Sequence, residues 1–146
     1  MAKFVYRMQS ILNIKVKMEE QAKMEFAAAR MRLDEEEEKL SLLFERKETY
    51  QEEGRALRKN GLKVLEIMEN RDAVGIMDEF IADQRYQVSL AERALEEARL
   101  RLQLAMQESK TQEKLRERAF EEFLHEENAK EAKEIDELVS YTHSHR

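Results

Sequence analysis

The chain has 146 residues, of which 40% are charged and 7% aromatic, with a formal net charge of -6. That leaves too little apolar material for an ordinary globular core, so the core must be a narrow seam between helices. The absence of cysteine excludes a disulfide frame and a thiolate metal site; the acidic balance argues against a general nucleic-acid binder, which needs a face rich in Lys and Arg.

Proline is absent and strong helix formers dominate, so helix is expected almost throughout. A first helix over about residues 4–58 starts with Met8, Ile11, Met18 and Ala22 on one stripe, interrupted by Lys15. Two successive steps of four, from Met18 through Ala22 to Phe26, read as a stutter that locally unwinds a supercoil. From Ala22 onward Phe26, Ala29, Leu33, Leu40, Leu43, Tyr50 and Leu57 share one heptad stripe. The acidic run at residues 34–38 reads as a solvated face.

The chain's three glycines, Gly54, Gly61 and Gly75, fall in its middle, and Asn60-Gly61 is a good left-handed helix stop. A turn region over about 59–75 is expected, in which residues 62–69 can form a short helix and Asp72 can cap the next one. A second helix over about 76–139 carries the clearest heptad in the chain, Ile81, Gln84, Val88, Ala91, Leu95, Ala98, Leu102 and Ala105. Its seam weakens at Ser109, Gln112 and Arg116 and recovers at Ala119, Phe120, Phe123 and Leu124, before a frayed tail at 140–146.

The expected fold is all-α: two long helices in an antiparallel coiled-coil hairpin, forming a single elongated domain over 1–146. Charge supports the antiparallel sense, with seven basic against three acidic residues in 1–33 and nine acidic against four basic in 117–146. Each end opposes its own helix dipole and complements the other. Disorder of the isolated chain is the competing reading of the same composition.

No nucleophile–base constellation or phosphate loop is present, and the three histidines, His125, His143 and His145, read as solvent-exposed. The chain is therefore expected to be no enzyme, with no catalytic residue, cofactor or metal, and to act through its surfaces. The segment Phe4, Met8, Ile11, Leu12, Ile14 and Val16 is apolar around more than one face. It either packs on Phe120, Phe123 and Leu124 or meets another molecule, and both readings stay open. Near the turn, Ile76, Met77, Phe80 and Ile81 form a second surface, where Phe80 and Ile81 cannot both enter one seam. Met18, Met24, Met31, Met68, Met77 and Met106 read as gap-filling core. Neither a signal core nor a run long enough to span a membrane is visible, which points to the cytoplasm.

Phe4-Val5-Tyr6-Arg7-Met8-Gln9-Ser10-Ile11-Leu12, Phe80-Ile81, Glu117-Arg118 and Lys133-Glu134-Ile135-Asp136-Glu137 together resemble the flagellar FliJ family over the whole chain. The resemblance implies a soluble part of the flagellar type III export apparatus, serving flagellum biogenesis and motility. It would be a monomeric hairpin when free and lie peripherally at the inner face of the cell membrane. It implies three partners: a hexameric export ATPase, entered by both chain ends in the manner of a rotary ATPase stalk; a membrane export gate protein; and export chaperones. The ATPase end would then include Phe4, Met8, Ile11, Leu12, Phe120 and Phe123. The gate face of the family includes an aromatic–Ile pair followed three residues later by Leu. Phe80-Ile81 matches with Ile76 beside it, and Gln84 stands in the place of the Leu. A self-associating coiled-coil scaffold without an ATPase partner is the main alternative, ahead of a helix lying on a membrane surface.

Overall fold

The computed structural model describes residues 2–61 and 63–145. Two helices account for nearly all of them, α1 (Gln9–Lys59) and α2 (Val64–Ser144), packed against each other antiparallel with no strand among the described residues.

The helix ends follow local chemistry. Residues 2–5 are not helical, and α1 begins where the Gln9 amide donates to the Tyr6 carbonyl at 3.1 Å and the Leu12 amide to the Met8 carbonyl at 3.1 Å. The expected start at residue 4 is therefore too early, because Phe4 leaves the helical path to pack on α2. Arg58 and Lys59 lie in the last turn of α1, where cations favour the negative end of the helix dipole. Gly61 stops the helix with a φ of 49°, a left-handed conformation that costs glycine little. Asn60-Gly61 thus acts as its sequence predicts.

The second boundary differs more. The expected turn at 59–75 shrinks to the residues between Lys59 and Val64, because the Ile67 amide already donates to the Lys63 carbonyl at 3.1 Å. Leu62 lies outside the described residues. Residues 64–69 are the opening turns of α2 rather than a separate short helix, and Asp72 and Gly75 lie inside α2. The cost of an internal glycine, about 1 kcal/mol, is offset where Val74 and Met77 beside it pack into the seam. At the far end α2 continues to Ser144 instead of fraying after 139. Thr142 and Ser144 return their hydroxyls to carbonyls one turn back, and the ring of His145 stacks on Tyr141 with centroids 4.1 Å apart.

The contacts divide into two units, Met1–Ala22 with Leu102–Arg146, and Lys23–Arg101. In the second unit the heptad positions of both helices face inward. Leu33, Val88 and Ala91 form its buried core, with Leu40 and Leu95 packed against it. Small residues sit where the helices meet, and Ala91 and Ala98 have almost no exposed surface.

In the first unit Leu12, Ala22, Ala105 and Ser109 are buried. Ser109, read from sequence as a weak point, is the most buried polar side chain among the described residues, a small residue that suits the close approach of the helices. The expected stutter is absent. Lys15 and Glu19 are half-buried between Leu12 and Ala22 while Met18 is half-exposed, so the three–four spacing runs unbroken. The aliphatic stem of Lys15 lies along the seam and its amine reaches Glu108 at 2.9 Å. The methionines also differ from expectation: only Met77 of the six is buried, and Met18, Met24, Met31, Met68 and Met106 are exposed.

Candidate interaction surfaces

In the first unit the non-helical N-terminal segment is pinned by aromatic packing. The Phe4 ring lies 5.1 Å from Phe120, edge-on at 69°, and 5.4 Å from Phe123, geometries that the ring quadrupole favours. The Arg116 guanidinium sits 5.5 Å from the same ring and its Nε donates to Gln9 Oε1 at 3.0 Å. The Tyr6 hydroxyl donates to Gln112 Oε1 at 3.3 Å. Of the two readings of this segment, packing on α2 holds for Phe4.

The six residues assigned to this end therefore divide by role. Leu12 is core, and Phe4 and Phe123 are half-buried in the aromatic cluster. Met8, Ile11 and Phe120 remain exposed, joined by Val5 and Ile14.

Sequence reasoning missed a further surface. Residues 128–145 are exposed around the whole of α2, and Ile135, Leu138, Val139 and Tyr141 are each at least 60% exposed there. Spacings of three and four from Ile135 put Leu138 and Val139 on one stripe. That stripe was legible in the sequence; its lack of an α1 partner was not, because the register depends on where α2 starts, at Val64 rather than at the expected residue 76.

In the second unit the four residues assigned to the turn-proximal face also part company. Phe80 is 50% exposed and Ile76, one turn before it, 49% exposed, whereas Ile81 is 5% exposed and faces the seam. Gln84 is half-buried too, its Nε2 donating to the Glu36 carbonyl at 3.0 Å and to the Glu36 carboxylate. The exposed surface is thus Ile76 and Phe80, with Ile81 and Gln84 holding it in place. Farther along this unit Leu42 and Phe44 are exposed on α1, the Arg85 guanidinium lying 5.3 Å over the Phe44 ring.

Glu36 departs from the solvated reading of residues 34–38. The hydrogen bond from Gln84 holds its carboxyl below the usual glutamate range, helped by Lys39 at 3.3 Å. Among the described residues no group of three or more His, Asp or Glu could hold a metal ion, and no helix is long and apolar enough to cross a membrane.

The two packed helices define the class: an all-α helical hairpin with apolar side chains exposed on otherwise polar helices. The particular family follows from the sequence: the pattern described as flagellar FliJ protein matches residues 4–146. The chain belongs to the FliJ family, and so to the components of the flagellar type III export machinery. Among solved structures it is similar to a protein of Chlamydia trachomatis described as a YscO homolog, CT670, with a TM-score of 0.75, 23% identity, and coverage of 97% of this chain and 96% of that one. At that identity the likeness concerns the fold. No curated protein matches the chain.

Proposed function

We propose that the protein binds the hexameric flagellar export ATPase with the unit that holds both chain ends, and the membrane export gate with the unit that holds the turn. It would thereby couple the two in the manner of a rotary ATPase's central stalk. Membership of the family over residues 4–146 is the observation that carries this reading. The ATPase contact is assigned to Met8, Ile11 and Phe120 together with the stripe Ile135, Leu138 and Val139. These apolar side chains are exposed in the unit containing both ends, and their burial would give the contact its strength. The gate contact is assigned to Ile76 and Phe80, with Ile81 and Gln84 as internal supports. The chain itself acts as a non-enzymatic adaptor at the inner face of the cell membrane, and return of export chaperones is a further task the family suggests.

Titration of the purified chain against its cognate export ATPase and, separately, against the cytoplasmic part of the gate protein tests this. Saturable binding to each, with the two partners binding one chain at once, is expected. A stable homodimer that binds neither would favour the scaffold reading instead.

A further inference from the structure

The end of the hairpin near the turn carries a feature that the stalk reading does not use. Gln51, Arg55 and Arg58 on α1 and Asn70, Arg71 and Val74 on α2 line one groove of about 210 Å³. No acidic side chain lines it, although residues 51–74 hold five acids, Glu52, Glu53, Glu66, Glu69 and Asp72, as well as five bases. Three arginines from two helices thus line one groove, and the five acids of residues 51–74 are not among its lining residues.

Among the described residues Arg58 and Arg71 have no ion pair, and Arg55 reaches only Glu48, at 3.6 Å with both side chains more than half exposed. A contact of that kind is weak and readily exchanged. The groove wall is fixed rather than fluid. Asn70 is held by its Nδ2 donating to the Tyr50 carbonyl at 2.8 Å, and it packs so closely on Gly54 that a Cβ there would overlap its Oδ1. Arg58 and Arg71 therefore line the groove without an ion pair among the described residues, and Arg55 with only a weak, exchangeable one.

We infer that this groove is a docking site for an acidic peptide segment of a protein partner, one that presents two neighbouring carboxylates. The chemistry selects that ligand. Guanidinium forks pair bidentately with planar carboxylates, and 210 Å³ equals about seven water volumes at ~30 Å³ each, room for two carboxylate heads. A phospholipid surface is the less suitable match, because polybasic attraction needs a net excess of charge and residues 51–74 balance to none. Val64, exposed seven residues before Arg71 and hence on the same side of α2, gives an apolar neighbour to the groove. The best ligand is thus an acidic pair followed by an apolar residue. This inference stands apart from the stalk reading, since it requires neither the ATPase nor the gate.

The test uses the full chain and a fluorescent peptide with paired glutamates beside a leucine, followed by anisotropy at about 0.15 M salt, where non-specific attraction is screened. Saturable binding is expected, with a roughly tenfold loss for Arg58→Ala or Arg71→Ala, the factor that corresponds to one charge-assisted hydrogen bond. Arg71→Lys should recover only part of it. Arg93→Ala, an exposed arginine elsewhere on α2, should change nothing, and circular dichroism should show every variant equally helical. Equal binding of the glutamine version of the peptide would overturn the inference. So would equal loss in Arg93→Ala, or capture by phosphatidylserine vesicles or inorganic phosphate with no binding of the peptide.

Discussion

Gly54→Ala is a substitution that helix propensity and packing judge in opposite directions. Gly54 lies inside α1 and is buried against α2. Propensity alone predicts that alanine stabilises the helix by about 1 kcal/mol. A Cβ there, however, would overlap Asn70 Oδ1 and stand 3.2 Å from Asn70 Cγ. The amide cannot swing away freely, because its Nδ2 donates to the Tyr50 carbonyl at 2.8 Å. Moving it forfeits that bond and leaves a part-buried amide unsatisfied, a cost of about 1–3 kcal/mol in all. The single change should therefore run from neutral to about 2 kcal/mol destabilising once the propensity gain of about 1 kcal/mol is subtracted. In an Asn70→Ala background the obstacle is gone, and Gly54→Ala should stabilise by about 1 kcal/mol. Urea unfolding of the four variants by far-UV circular dichroism closes the cycle. Additivity within about 0.5 kcal/mol, with Gly54→Ala stabilising in both backgrounds, would refute the idea that this contact sets the approach of the helices near the turn.

Other expectations follow from the same geometry. Because the folded-state pKa of Glu36 is lowered, first by Gln84 and then by Lys39, its contribution is present above the ordinary glutamate value and lost as pH falls through the depressed one. Thermal unfolding followed across mildly acidic pH should show that loss in the wild type and a flatter profile in Glu36→Gln. Phe80→Ala should leave helicity intact and weaken gate binding, whereas Ile81→Ala should cost about 2–5 kcal/mol of stability as a large-to-small core change; equal gate binding by the wild type and Phe80→Ala would remove Phe80 from that face. Phe4→Ala dismantles the contacts to Phe120, Phe123 and Arg116, so proteolysis should clip the N-terminal segment faster while α1 beyond Leu12 stays protected.

Much of the fold could be read from the chain because a heptad is a redundant signal. Each of Leu33, Val88, Ala91 and Ala98 repeats the same statement about which stripe faces inward, and all are buried. The stop at Asn60-Gly61 was legible for a similar reason, since a left-handed residue with a fixed chemistry ends the helix there. The start of α2 was not, because Gly75 is a local sign of a break and Val74 and Met77 override it through packing that only the tertiary partner supplies. Lys15 and Glu36 misled in the other direction: one was read as an interruption and the other as part of a solvated run, yet each is half-buried and finds a partner, Glu108 for Lys15 and Gln84 for Glu36. The methionines were misjudged because residue type alone does not say which stripe a side chain lies on.

The candidate surfaces were half legible. Sequence alone could say that Phe80 and Ile81 must face different ways, and exposure then assigned Phe80 to the outside. It could not say that Gln84 bonds to Glu36, a pairing across 48 positions. Nor could it foresee the Arg55, Arg58 and Arg71 groove, in which residues from both helices meet only once the register is fixed.

The most direct test of the central claim is the hydrolysis rate and sedimentation of the cognate export ATPase, measured together with wild-type chain and with Ile135→Asp/Leu138→Asp. The wild type should promote the hexameric ring and raise the rate, and the double variant, whose changes lie on solvent-exposed positions, should keep its helicity and lose both effects. Equal promotion by the two chains would contradict the assignment of this stripe, and failure of the wild type to associate with the ATPase would contradict the stalk reading itself.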